Sequence, residues 1–572
     1  MMRTNSTRLV ACVPFLLVGL FAAQSAFAQQ QLWQGVLDLQ GATLTLNFEI
    51  EKDGDEFSGS IYSVEQNNAE IPISSMKIEG STVTIIADSV GGKFSGEMNE
   101  DRSVVTGKWS QSGQEFDLAI KKVDSFGPAA KHIESWRGIL DVGAELELGL
   151  QVYEAEDGTL TAKLDSYSQQ ATGIPVEFEK DGKSYKFSQS AMQMEYAAQL
   201  SDDGSQLVGK FKQAGREFDL IFDSVELDAP APELNRPQNP EGPFPYTAND
   251  VSYKNENGGH TLAGTLTIPE GEGPFPVAIL ISGSGGQDRD ETLMGHKPFL
   301  VIADHLSRNG IAVLRFDDRG IADSTGDHQV ATSADFATDV QAGIDFLKTQ
   351  AEIDSNEIGL IGHSEGGLIA PMVATQGTDV DFIVMMAGPG VNGEEILKSQ
   401  TRVMSKLSGR SDAYMQAQEK VLVAVIEKMR SQADVTTEQL QEVVTETLSS
   451  VEDEELRESL TTDMAALSAT INSPWMRYFI DYDPATCLRQ LKCPVLALNG
   501  SKDVQVLPKL NLDAIKAAVP VDLLTLVELK DMNHLFQETD GTGMPNEYSV
   551  IEQTSSPKAL GLMTAWIQSH TN

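Results

Sequence analysis

A strand-like run, Glu357-Ile358-Gly359-Leu360-Ile361, stops at Gly362-His363-Ser364-Glu365-Gly366-Gly367, and a helix-like run follows at once. Few local patterns leave a chain so little freedom. Glycines at positions 362 and 366 let strand and helix pack closely across a sharp turn, which forces Ser364 into an exposed, strained position at its tip. The amides that open the helix favour negative charge there. Pro371, inside that helix, should remove one backbone bond and kink it about a turn after the start.

The surroundings repeat the strand-then-helix rhythm. Buried strand candidates are Pro276 to Ser282, Ile311 to Asp317, Glu357 to Gly362, Phe382 to Ala387, Pro494 to Gly500 and Leu523 to Leu529. Helical stretches such as Phe299 to Asn309 and Ser333 to Thr349 lie between them. Such alternation predicts a mostly parallel sheet covered by helices on both faces, over residues 247–572. One insertion interrupts it. No glycine occurs between Gly409 and Gly500 and no proline between Pro389 and Pro474, and the segment is rich in Glu, Gln, Leu, Ala and Met. That composition predicts a helical cap over about 391–475. Met404, Met415, Met429 and Met464 would give the cap either an adaptable apolar lining or an ordinary helix-to-helix core.

Upstream, the chain repeats itself. Trp33-Gln34-Gly35-Val36-Leu37-Asp38 returns as Trp136-Arg137-Gly138-Ile139-Leu140-Asp141, and Ile71-Pro72 returns as Ile174-Pro175, both 103 residues on. Gly107 to Leu118 returns as Gly209 to Leu220 after 102. Two modules are expected, 29–127 and 128–228. Alternation of apolar residues in Thr43 to Ile50, and at Leu146, Leu148, Leu150 and Val152, has the period of half-buried strands. Both modules therefore read as all-β, small up-and-down barrels or sandwiches, with an interior that holds either its own side chains or an apolar ligand. Residues 229–246 carry Ala-Pro-Ala-Pro, Arg236-Pro237, Asn239-Pro240 and Gly242-Pro243-Phe244-Pro245. Proline at that density predicts an extended, semi-rigid linker.

The start of the chain reads as a signal peptide over residues 1–28. Arg3 and Arg8 precede an apolar stretch from Leu9 to Ala23, and Ala26-Phe27-Ala28 is a small-x-small cleavage site. Export to the periplasm or beyond is expected, with no membrane span in the mature chain. Its formal net charge, −42 before Arg3 and Arg8 are lost, repels nucleic acid and anionic membranes alike. Removal of the leader leaves Cys487 and Cys493. They would pair in an oxidising compartment, or stay as thiols, since Cys493 opens a buried strand where a free cysteine is an ordinary small hydrophobe. With neither an H-E-x-x-H helix nor a cysteine cluster, no metal or cofactor is expected.

The chemistry follows from three loops. A serine hydroxyl is a weak nucleophile until a base takes its proton. His534, in Asp531-Met532-Asn533-His534, follows the last strand candidate and is the expected base. Asp503, in Asn499-Gly500-Ser501-Lys502-Asp503, lies just past a buried strand and would hold the imidazole's tautomer; Asp481 and Asp483 precede that strand. Two amides would hold an oxyanion, those of Glu365 and of Ser284 in Ser282-Gly283-Ser284-Gly285-Gly286.

Together with Gly283 to Asp290, Arg315 to Gly320 and Asn533-His534-Leu535-Phe536, these motifs resemble the bacterial α/β-hydrolase serine esterases of the dienelactone-hydrolase-like and BAAT-like kind, which carry a non-catalytic N-terminal extension. The resemblance covers about 247–572 and implies an α/β-hydrolase fold with the triad at Ser364, Asp503 and His534. It implies an exported carboxylesterase acting on small to medium esters through an acyl-enzyme. The resemblance implies a loop-fixing charge network, with no catalytic role, for Asp288, Arg289, Asp318 and Arg319. True dienelactone hydrolases use cysteine where this chain has Ser364. A peptidase of the prolyl-oligopeptidase type shares the elbow, but those enzymes resemble one another in an aromatic after the serine and a propeller in front. A binding protein with a vestigial hydrolase domain is the remaining alternative.

Overall fold

The computed structural model describes residues 31–571 except 39–42, 54–55, 65–68, 88–89, 91, 100, 112–113, 124–130, 143–144, 155–157, 170, 190–191, 193, 214–215, 228, 233 and 378–379. The expected signal peptide, the module boundary at 127/128 and the end of the second module at 228 lie outside the described residues. The chain divides into two compact units, one spanning Glu233–Asn572 and the other carrying the β-rich N-terminal region.

In the first unit, β1 (Tyr246–Asn255), β2 (His260–Pro269), β3 (Phe275–Ile281), β4 (Ala312–Phe316), β5 (Ile353–His363), β6 (Phe382–Met386), β7 (Val495–Gly500) and β8 (Leu524–Leu529) form one sheet. Their spatial order is β1-β2-β4-β3-β5-β6-β7-β8. From β4 to β8 every pairing is parallel, while β1 and β2 pair antiparallel at one edge. Those two edge strands are the part of the sheet that strand-then-helix alternation did not reveal. A hairpin has no intervening helix to mark it.

A parallel sheet must be covered on both faces, so neighbouring residues of one strand face different cores. Ile279 of β3 packs in one core with Val340 and Ile344 of α2 (Ser333–Leu347). Leu280, next in sequence, packs in the other with Ile302 and Leu306 of α1 (Pro298–Arg308). A third helix, α3 (Gly366–Ala374), follows β5 directly and contains Pro371.

Between β6 and β7 stand α4 (Gly393–Leu407), α5 (Asp412–Ser431), α6 (Thr437–Leu448), α7 (Glu454–Thr470) and α8 (Pro474–Asp481). This helical insertion has its own core, in which Leu422, Leu440 and Leu460 are buried. Met429 and Met464 belong to that core. For these two methionines the helix-to-helix role holds, since each fills the gap between adjacent cap helices.

The proline-rich segment is not simply a spacer. Arg236 donates to the carbonyls of Met294 (2.8 Å) and Ser549 (2.7 Å), and Gln238 donates to that of Ser555 (2.7 Å). Its second half is thus hydrogen-bonded to the α/β unit. No helix among the described residues is long and apolar enough to cross a membrane.

The N-terminal region is rich in β strands. Residues 31–123 form a nine-stranded antiparallel sheet, and residues 131–225 a closed barrel of eight antiparallel strands. Trp33 and Trp136, matched in the sequence repeat, are both buried, as are the matched Trp109 and Phe211. In the barrel, the buried Tyr196 ring packs tilted against Phe187 (5.0 Å between centroids) and edge-on to Phe222 (5.4 Å), so side chains occupy this part of the interior.

Candidate active site

The carboxyl ends of β3, β5, β7 and β8 all open onto one edge of the sheet, where parallel sheets hold their ligands. Each of the expected residues stands on a loop leaving one of those ends.

The β5–α3 turn is as tight as its glycines imply. A Cβ at Gly362 would lie 2.0 Å from the Gly366 carbonyl oxygen, and one at Gly366 would lie 2.1 Å from that of Ile281. Ser364 at the tip has φ of +52°, a left-handed conformation that a non-glycine residue adopts only when its surroundings enforce it. Its neighbours do so: the Ser364 amide donates to Met386 of β6 (2.8 Å) and its carbonyl accepts from Gly367 (2.9 Å). Ser364 is half-buried while His363 and Glu365 beside it are buried.

His534 Nδ1 donates to Asp503 Oδ2 at 2.8 Å. The other carboxylate oxygen accepts from the amides of Gln505 (2.8 Å) and Val506 (2.9 Å), so the whole group is satisfied although only 2% exposed. The structure thus pairs the two expected partners directly. It brings their loop to the elbow through His363, whose Nε2 donates to the His534 carbonyl at 3.1 Å. The two rings lie 4.9 Å apart.

The loop after β3 reaches the same place. A Cβ on Gly283 would meet Ser364 Cβ at 3.4 Å. The Gly283 amide is occupied by Glu291 Oε1 (2.8 Å), and Ser284 is the next residue along. Asp318 holds this loop from below, accepting from Ser282 Oγ and from the Gln287 amide, each at 2.9 Å. Burial lifts the Asp318 carboxyl well above the ordinary carboxylate range. Arg289 forks onto Asp317 at 3.0 and 2.6 Å, and Arg319 donates to Asp339 at 2.7 Å. Arg289 pairs with Asp317 and not with Asp318, a choice that the two adjacent aspartates leave open in sequence.

Two features escaped the sequence. Glu291 is one. The other is Trp475 of α8, whose indole donates to Glu365 Oε1 at 2.6 Å, beside a second bond from Ser333 Oγ at 2.6 Å. Burial pushes the Glu365 carboxyl up to about 7. The cap is thereby bonded to the residue that follows Ser364. Nothing in the spacing of Glu365 and Trp475 marks them as partners. Cys487 and Cys493 are both free thiols, and burial raises the Cys493 thiol to about 11.

A serine hydroxyl within reach of an imidazole–carboxylate pair can hand its proton to the ring and attack a carbonyl. The α/β unit is similar in sequence to known proteins. The family model described as serine aminopeptidase, S33, matches residues 297–539. Esterase EstD of Thermotoga maritima is 28% identical over 290 residues, which are 50% of this chain and 61% of that protein. An uncharacterised 31.7 kDa protein of Escherichia coli is 23% identical, over 54% of this chain and 96% of its own length. Among solved structures, the Pyrococcus furiosus esterase PF2001 covers 59% of this chain and 98% of its own, at 16% identity and a TM-score of 0.36. In sequence, the α/β unit of this chain is similar to the bacterial α/β-hydrolase esterases.

Proposed function

We propose that the protein is an exported serine carboxylesterase. Ser364 attacks the ester carbonyl while His534 takes its proton, and Asp503 holds the ring and stabilises the imidazolium. The Ser284 and Glu365 amides receive the oxyanion. The alcohol leaves with a proton returned by His534, and a water activated by the same ring cleaves the acyl-enzyme. The observation that carries this reading is the 2.8 Å bond between His534 and Asp503, on loops leaving strand ends beside a serine held at positive φ. Small to medium esters are the proposed substrates, under a cap whose α8 reaches Glu365.

The test is turnover of 4-nitrophenyl esters, from acetate to long acyl chains, by the protein beginning at Gln29. Ser364→Ala should lower kcat by a factor on the order of a million. Loss of nothing in that variant would return the chain to the class of binding proteins. Because the matching family model is described as a serine aminopeptidase, an amide bond is the second reading. Aminoacyl 4-nitroanilides run beside the esters decide it: turnover of the anilides alone would replace the ester reading. Export is checked separately, by the N-terminus of the protein recovered from the producing cell. A start at Gln29 supports cleavage after Ala28, and an intact Met1 overturns it.

A further inference from the structure

Glu291 and His363 make a buried pair beside the nucleophile that the acyl-transfer steps above do not use. His363 Nδ1 meets Glu291 Oε1 at 2.9 Å, and its Nε2 meets the His534 carbonyl at 3.1 Å. Both partners accept. The carbonyl has no proton to give, and Glu291 Oε1 already receives the Gly283 amide. A neutral imidazole donates from one nitrogen only, so two acceptors require a proton on each nitrogen. The side chains of His363 and Glu291 are each 8% exposed, and a buried ion pair of this kind survives only when its hydrogen bonds are made, as they are here.

The pair touches the loop after β3, the elbow and the His534 loop. Glu291 Oε1 draws Gly283 onto the elbow, where that backbone sits 3.4 Å (as a Cβ) from Ser364. With the Gly283 amide occupied, the next amide in the loop is that of Ser284. The ring of His363, one residue before Ser364, holds the backbone of His534 by its carbonyl. Glu291 itself turns back toward the site at φ of +53°. We propose that Glu291 and His363 are positioning residues, an ion pair that sets the oxyanion loop and the His534 loop against Ser364. Burial alone would push the His363 imidazole down, yet the Glu291 carboxylate, the His534 carbonyl and the Asp503 charge raise it on balance, which agrees with a ring protonated in the fold.

This inference rests on the serine-hydrolase reading, and the experiment separates the two. The rate at which a fluorophosphonate labels Ser364 depends on the base and the oxyanion donors, whichever bond the natural substrate contains. Wild type, Ser364→Ala, Glu291→Gln, His363→Gln and the double variant are labelled to completion to count active sites, then compared in labelling rate, kcat and KM. The expected result is a fall of about tenfold to a hundredfold in labelling rate and kcat for each single variant, with KM within about threefold. Because the two residues act as one unit, the double variant should be no worse than the poorer single. Wild-type rates per labelled site in Glu291→Gln or in His363→Gln would overturn the positioning role and leave the hydrolase reading intact. Losses that add in the double variant would also overturn it. A folded wild type that takes no label at all would overturn both.

Discussion

Two buried ionisable side chains flank Ser364 in sequence, and they solve the same problem differently. His363 has a carboxylate partner; Glu365 has only the hydroxyl of Ser333 and the indole of Trp475. Lacking a cation, Glu365 holds its proton up to about pH 7, whereas the unfolded chain releases it near 4.5. The folded state therefore binds more protons between those values, and stability falls as pH rises from about 4.5 to 7, then levels. Glu365→Gln keeps an oxygen for both donors and removes the charge. It should be more stable than wild type at pH 8, by on the order of 1–3 kcal/mol, and nearly equal to it at pH 4.5. Urea denaturation at the two pH values checks this, and an equal gain at both would refute the titration. Its backbone amide is unaltered, so ester turnover should survive.

At the scale of single elements, the β5–α3 turn leaves no room for a methyl group. Gly362→Ala would place a carbon 2.0 Å from a backbone oxygen, so strand and helix must part. A loss of about 3 kcal/mol or more is expected, with ester turnover falling further than stability because Ser364 moves with the turn. Denaturant titration beside active-site counting separates the two effects. This turn was legible in sequence because its requirements are local: small residues at fixed offsets after an apolar run. Asp503 and His534 were legible for a related reason, since each follows a strand run closely. Glu291 was not. Its role depends on a positive-φ turn that carries it back onto Gly283, eight residues earlier, and onto His363, 72 later. Trp475 was hidden likewise, 110 residues from its partner on a helix whose composition announced only helix. The first strand of the β1–β2 hairpin went unread because Tyr246–Asn255 is an edge strand with most of its side chains in solvent.

Over the whole molecule, the site-bearing loops all belong to the unit that spans Glu233–Asn572. The β-rich region closes its own cores around residues such as Phe48 and Tyr196. A chain beginning at residue 229 should therefore keep kcat for 4-nitrophenyl esters within about threefold of the longer protein. One beginning at residue 246 should lose stability by about 2–4 kcal/mol, because three buried or half-buried carbonyls lose the Arg236 and Gln238 donors. Thermal melting of the two chains, with turnover beside it, tests the pair of expectations. Equal melting points would mean that the strap contributes nothing.

That strap also decides where the native protein can be cut. A protease needs several residues free of partners to draw a chain into its cleft, and the side chains of Arg236 and Gln238 tie this segment to the carbonyls of Met294, Ser549 and Ser555. Ala229 and Pro230 are held as well, their carbonyls accepting from Arg137, and alternate prolines there resist most endoproteases. Limited proteolysis of the native protein should accordingly spare the segment around Arg236 and Gln238.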